Sequence, residues 1–243
     1  MTHAQSRKRL RDFVAASNAL HRAHLDTPER REAYRDFVDL QLEYFLPMYG
    51  DLRDRPGYGP AIDFVISDLV GPGIADRDRE LEKVVPVMSR FLPSGALAAL
   101  ATAMELNARI LEINLGISEQ LAPAIANGEH ISERRYCLAT REVATFEDFT
   151  ALIGMTREAG MSLERIVAMP MITPLLKSMR GPARLAGVGD LQAFLEKGLA
   201  TFRGVEDIHE FLELLEDRME TVFRRVFLED VEALSGAPIA EAA

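Results

Sequence analysis

The chain has a single cysteine, Cys137, and no tryptophan among its 243 residues. One cysteine cannot form an internal disulfide, and a reducing compartment is the simplest interpretation. The first residues contain no apolar segment of the signal-peptide type. No uncharged apolar run reaches the roughly 18–20 residues that a membrane-spanning helix needs. We therefore expect a cytoplasmic protein without a transmembrane segment.

Positive charge is also scarce. The chain has 28 Lys and Arg against 38 Asp and Glu, which gives a formal net charge of −10. A protein that binds nucleic acid neutralises phosphates with a basic surface. This charge balance therefore argues against a nucleic-acid partner.

The residues that are abundant favour helix. Leu, Ala, Glu and Arg dominate, whereas Gly, Pro and β-branched residues are sparse. The predicted fold is an all-α multi-helix bundle of about ten helices in one domain, residues 1–234, followed by a flexible tail, residues 235–243. Two packed sub-bundles with a seam near residue 128 are one way to build it.

Apolar periodicity and helix-terminating residues predict where the helices begin and end. Thr27 and Pro28 indicate an N-cap and a first helical residue. Gly116, Gly160 and the pair Gly181-Pro182 indicate helix ends. The predicted helices cover residues 4–25, 28–45, 61–70, 76–91, 94–115, 117–126, 132–143, 146–159, a proline-interrupted segment from 162 to about 180, 190–202 and 206–229.

The segment 64–72, Phe-Val-Ile-Ser-Asp-Leu-Val-Gly-Pro, resembles the motif of the bacterial FFLEELY-motif proteins. Phe64 and Leu69 keep that motif, whereas Val65, Ser67 and Val70 depart from it. Arg77, Asp78 and Leu81 extend the resemblance, as do residues 176–184 and 191–196. The resemblance implies a helical cytoplasmic protein, and it carries no catalytic residue over to this chain.

Carboxylate and histidine side chains suggest one candidate metal site. Glu206 and His209 have the Glu-x-x-His spacing, which places two ligands on one face of a helix, and Glu43, Glu105 and Glu112 on apolar helices could complete a set. The alternative is a solvated acidic face, with Glu105 and Glu112 paired to Arg109. Only one Glu-x-x-His copy is present, which favours the alternative.

Methionine is concentrated in one stretch. Five of the ten Met lie between residues 155 and 179, where Pro170 and Pro174 interrupt an apolar helix. Met side chains adapt to irregular surfaces, and prolines prevent tight regular packing. We therefore expect an apolar groove for a ligand, with a kinked core helix as the alternative. Its candidate lining residues are Met155, Met169, Met171, Leu175 and Met179.

No catalytic arrangement is found in the sequence. It has no Gly-x-Ser-x-Gly, no phosphate-binding glycine loop and no dinucleotide fingerprint, and no cofactor is indicated. The leading hypothesis is a non-catalytic binding or scaffold protein whose apolar groove takes a lipid-like small molecule or a partner helix. The second is a metal-dependent helical-bundle enzyme. A homo-oligomer is compatible with both.

Overall fold

The computed structural model of the protein describes residues 2–65, 80–83, 85–86, 92–230, 232 and 234. Every regular element within these residues is helical, so the all-α prediction is confirmed. The helices are α1 (His3–His24), α2 (Pro28–Phe45), a 3-10 helix (Leu46–Tyr49), α3 (Gly50–Arg53), α4 (Tyr58–Phe64), α5 (Ser94–Ala126), α6 (Glu133–Val143), α7 (Phe146–Val167), α8 (Ile172–Leu185), α9 (Gly189–Arg203) and α10 (Ile208–Leu228).

Some predicted features lie wholly or largely outside the described residues. The FFLEELY-like motif is described only at its first two residues, Phe64 and Val65. The helix predicted over 76–91 is described only at 80–83 and 85–86, and the tail at 235–243 is not described. The sequence prediction has no helix between residues 45 and 61, whereas the structure has the 3-10 helix, α3 and the start of α4 there.

Capping side chains set several helix starts. Thr27 accepts a hydrogen bond from the backbone N–H of Arg30, and Pro28 is the first residue of α2, as predicted. Thr145 and Asp148 form a reciprocal capping box at the start of α7. Each such cap satisfies N–H groups that the helix itself leaves unpaired and contributes about 1 kcal/mol.

Glycine ends neither α5 nor α7, contrary to the sequence prediction. The 33-residue α5 continues through Gly116, where an added Cβ would lie 2.6 Å from Cγ1 of Val143. The helix α7 continues through Gly160, where an added Cβ would lie 2.4 Å from Cδ2 of Leu212. Both glycines are therefore sites of close helix packing. Similarly, Pro182 lies inside α8 and does not end it.

Helix α5 is central to the described part of the fold. It packs most extensively against α1, and also contacts α2, α6 and α7. Its buried residues include Leu97, Leu111, Leu115 and Leu121, which lie at both ends and in the middle of the helix. The partners of α5 come from both sides of residue 128 in the sequence, and the sub-bundle seam there stays a prediction.

A buried ion pair joins α6 to α10. The Glu133 side chain is fully buried, and both of its carboxylate oxygens accept hydrogen bonds from the Arg225 guanidinium. The pKa of Arg225 is raised, and the hydrogen bond to Glu133 is the largest cause. A paired geometry of this kind offsets the desolvation of a buried carboxylate, whereas an unpaired partner would be strongly destabilising.

None of the described helices has the length and apolar character that crossing a membrane requires.

We predict that Glu133→Gln lowers the free energy of unfolding by about 1–3 kcal/mol, because Arg225 loses its buried carboxylate partner and keeps only the more exposed Glu229. Urea denaturation measures this change. The matched control is Glu220→Gln, which removes the exposed ion pair between Glu220 and Arg224 on the same helix and should change the free energy by about 0.5 kcal/mol or less. Equal effects of the two substitutions would contradict the structural role of Glu133.

Candidate functional site

A surface cleft of about 190 Å³ lies between α8 and α9. Each helix contributes four side chains at the same spacing, i, i+3, i+4 and i+7, which brings them to one helical face. The lining residues are Thr173, Leu176, Lys177 and Arg180 from α8, and Glu196, Leu199, Ala200 and Arg203 from α9. The two faces meet because α8 and α9 pack against each other.

One carboxylate in the cleft is already neutralised. Both oxygens of Glu196 accept hydrogen bonds from Arg180, and Nε of Arg180 lies 2.7 Å from Oε1. The side-chain amide of Gln192 donates to the same Oε1 at 2.8 Å and to the backbone carbonyl of Leu176 at 2.7 Å. These hydrogen bonds, from Arg180 first, lower the pKa of Glu196 to about 2. Glu196 is therefore ionised at neutral pH and holds α8 against α9.

The cleft has two cations besides Arg180, namely Lys177 and Arg203. Neither of them pairs with a carboxylate in the salt bridges of the described residues. Arg203 donates to the hydroxyl of Thr173 and, at 3.3 Å, to the carbonyl of Val167 at the end of α7. Lys177 is exposed at the edge of the cleft, and its charge is felt by Glu196. With three cations and one carboxylate, the cleft is positive in a chain whose net charge is −10.

The remainder of the lining is apolar. Leu199 is buried, Leu176 is half-buried and Ala200 is exposed. None of the lining residues is a nucleophile paired with a base, and the one carboxylate stays ionised far below neutral pH. The arrangement is suited to holding a small anionic group beside an apolar one, rather than to acid–base or nucleophilic chemistry.

The structure does not place the predicted Met groove at this cleft. Met155 lies on α7, Met169 and Met171 lie in the break between α7 and α8, and Leu175 and Met179 lie on α8. None of the five lines the cleft. Met171 is 80% exposed, and the other four are half-buried. Pro170 lies in the break between α7 and α8, as predicted, whereas Pro174 lies in the first turn of α8 and does not interrupt it. The five side chains do not form the lining of one described cavity.

The carboxylates proposed as metal ligands on α2 and α5 lie apart or have cationic partners. Glu105 pairs with Arg9 of α1 across the helix interface, rather than with Arg109 as the sequence suggested. Glu112 does pair with Arg109, at 3.4 Å. Glu43 is exposed on α2.

The Glu-x-x-His pair does not share a helix face. Asp207 is the N-cap of α10 and accepts from the backbone N–H of Glu210, so the helix begins at Ile208 and Glu206 lies outside it. His209 faces α7, with its Nε2 3.5 Å from an oxygen of Glu164. Within the described ranges, no group of three or more His, Cys, Asp and Glu residues could hold a metal ion.

The single thiol lies in a packed environment. Cys137 is fully buried on α6, in contact with the apolar side chains of α10. The pKa of Cys137 is raised to about 11, mainly by burial and to a smaller extent by the nearby Glu133 carboxylate. A thiol with such a pKa is protonated at neutral pH and is a poor nucleophile.

Sequence reasoning missed the cleft. Its signal was present as the repeated i, i+3, i+4, i+7 spacing in residues 173–180 and again in residues 196–203. Finding it required knowing that these two faces pack against each other, which sequence periodicity alone does not indicate.

A family model described as a domain of unknown function, DUF8198, matches residues 20–233 of the chain. No curated protein and no solved structure matches this chain.

We predict that the thiol of Cys137 reacts with a disulfide reagent only after unfolding, because it is buried and protonated at pH 8. Absorbance of the released thiolate, followed with and without denaturant, measures the two rates. Reaction of the native protein at a rate close to that of the denatured protein would contradict the buried placement.

We also predict that Glu196 contributes to stability in a pH-dependent way. An unfolded glutamate has a pKa of about 4.3, above its folded value of about 2. Its contribution is therefore present above the unfolded pKa and is lost as the pH falls towards the folded one. The stability difference between wild type and Glu196→Gln, from urea midpoints, should be larger at pH 7 than at pH 3. A difference independent of pH would contradict this assignment.

Proposed function

Because the chain belongs to the DUF8198 family, whose description gives no activity, we propose a function from the chain's own cleft: a non-catalytic binding protein for an amphipathic, lipid-like anion. The observation that carries the proposal is the pairing of Lys177 and Arg203 with an apolar floor in one cleft between α8 and α9. This proposal keeps the binding function expected from the sequence and changes its location from the Met residues to the α8–α9 faces.

The anionic group of the ligand is recognised by charge. Arg180 is committed to Glu196, so Lys177 and Arg203 are the cations left to meet a ligand. The Thr173 hydroxyl, which accepts from Arg203, can donate its own proton to a ligand oxygen. A carboxylate or phosphate accepts hydrogen bonds from such donors.

The apolar part of the ligand is recognised by burial. Leu176, Leu199 and Ala200 form the apolar part of the lining, within one helical turn of the cations. An alkyl segment laid over them would lose contact with water, at about 25 cal/mol for each Å² of apolar surface removed. A neutral alkyl compound or a simple inorganic anion would make only half of these interactions.

Size restricts what the cleft encloses. Pockets for drug-sized ligands measure about 300–1,000 Å³, and this cleft measures about 190 Å³. It accommodates an anionic group and a short alkyl segment, with the rest of a longer chain extending outside.

The other sequence-based hypotheses stay predictions. These are a partner helix as the occupant, a metal-dependent enzyme, a homo-oligomer, a cytoplasmic location and the resemblance to FFLEELY-motif proteins. An acidic partner helix would use the same cations as the lipid-like anion. Ligand titration separates these two occupants, because the helix hypothesis predicts no binding of a small alkyl carboxylate.

We expect decanoate to bind the purified full-length protein with one-to-one stoichiometry in isothermal titration calorimetry, and decanol, which lacks the charge, to bind at least about tenfold more weakly. Lys177→Gln should weaken decanoate binding about fivefold, because one partly exposed ion pair contributes about 1 kcal/mol. Equal affinity for decanoate and decanol, or no decanoate binding, would contradict the proposed function.

A steric variant and a matched control locate the site. Ala200→Phe places a ring in the cleft at an exposed position, and it should abolish decanoate binding without unfolding the protein. Ala193→Phe makes the same change at an exposed residue of α9 outside the cleft lining and should leave binding unchanged. Equal affinities of the two variants would place the ligand elsewhere.

A further inference from the structure

The outward face of α8 is an exposed stripe that carries no charge. We define it as Met171, Pro174, Ser178, Pro182 and Leu185, whose successive spacings of 3, 4, 4 and 3 residues bring them to one side of the helix. All five are exposed, and the two bulky apolar side chains at its ends, Met171 and Leu185, are 80% and 93% exposed. Met171 and Leu185 are the most exposed of the large hydrophobic residues that the structure describes.

This stripe differs from an ordinary solvent-facing helix surface. Such a surface is usually charged, with the apolar residues turned to the core. The inward side of α8 has its own apolar residues, of which Ile172 and Ala183 are buried. The apolar outward face therefore adds nothing to the described core and exposes Met171 and Leu185 to water at a free-energy cost.

Cations border the outward face. Residues 165–189 contain Arg165, Lys177, Arg180 and Arg184 and no acidic residue, in a chain whose net charge is −10. Lys177 and Arg184 are exposed on α8, whereas Arg180 is paired with Glu196 in the cleft. An exposed helix with an uncharged apolar stripe beside basic residues is the composition of helices that lie in the surface of an anionic bilayer.

We propose that the outward face of α8 binds the surface of an anionic lipid bilayer, with Met171 and Leu185 inserted between headgroups and Lys177 and Arg184 against their phosphates. At 1.5 Å per residue the two apolar ends are about 21 Å apart. The Pro, Ser and Pro between them are short enough to let the whole stripe approach a flat surface. None of the five stripe residues lines the cleft, and Lys177 is the one residue that both proposals use.

Charge and spacing argue against other occupants. A second copy docked through the same face would place the basic α8 of one copy beside the basic α8 of the other, and like charges repel. A partner groove that receives a helix engages bulky anchors spaced by three or four residues. Here two bulky residues lie at the two ends of the helix, with none between them on this face. A bilayer does not require a particular spacing of bulky residues, because its headgroups rearrange around each inserted side chain.

The expected binding is weak and reversible. Two exposed apolar side chains insert less surface than one fatty acyl chain, which alone gives a partition constant of only about 10⁴ M⁻¹. The cations raise binding to anionic lipid by about fivefold each at low salt, and this gain falls as salt screens the charges.

Vesicle flotation of the full-length protein tests the proposal. Vesicles of equimolar phosphatidylcholine and phosphatidylglycerol should carry the protein at low salt, and vesicles of phosphatidylcholine alone should carry at least about fivefold less. Binding to both compositions equally, or to neither, would overturn the proposal.

Substitutions of exposed side chains identify the surface. The double variant Met171→Gln and Leu185→Gln should reduce binding to the anionic vesicles at least about tenfold. The control is Leu228→Gln, at another exposed apolar residue, which should bind like wild type. Arg184→Gln should reduce binding about fivefold. Since all these side chains are exposed, circular dichroism should show unchanged helix content.

Two results would assign the face to another occupant. Unchanged vesicle binding by the double variant would place lipid contact elsewhere on the protein. A wild-type dimer that the double variant loses, measured by sedimentation at the same salt concentration, would assign the face to a second copy. Decanoate titration of the double variant keeps the two proposals separate, because the cleft should remain functional in it.

Discussion

The arrangement of the described helices depends on one constraint, the enclosure of α5. This helix has 33 residues and buried side chains along its whole length, so it is stable only when other helices cover it. Helices α1, α2, α6 and α7 provide that cover. Glycines at two of the crossings remove side chains that would hold helices apart, Gly116 against α6 and Gly160 between α7 and α10.

Helices α8 and α9 are not among the extensive helix partners of α5. The extensive helix contacts of α8 are with α9. Only two residues of α8, Ile172 and Ala183, are buried. A helix attached mainly along one side leaves its remaining sides accessible. One accessible side of α8 lines the cleft together with the facing side of α9. Another accessible side of α8 is the outward face. The Arg180–Glu196 pair holds the two helices together at the cleft.

Local signals in the sequence predicted local structure well. Thr27 and Pro28 mark the start of α2 because a cap and a proline act on the residues beside them. Glycine was misread at positions 116 and 160 because its role there depends on Val143 and Leu212, residues distant in sequence. Glu206 was placed in a helix because spacing shows periodicity, whereas the Asp207 cap decides where the periodicity begins.

The candidate site was less predictable than the fold for the same reason. The Met-rich segment was conspicuous in composition, but Met155 and Met179 belong to different helices and neither lines the cleft. The charged and polar cleft residues are individually ordinary: one lysine, two arginines, one glutamate and one threonine on helix faces. They become a site only when α8 and α9 are packed together.

Native mass spectrometry of the protein isolated from its natural host tests the central claim, that the α8–α9 cleft holds an amphipathic anion. The account predicts that wild type carries an excess mass lost on denaturation, identified as a small acidic alkyl compound, and that Ala200→Phe isolated in the same way carries none. The same excess mass on both proteins, an excess that proves to be a metal ion, or a wild type that carries nothing would contradict it.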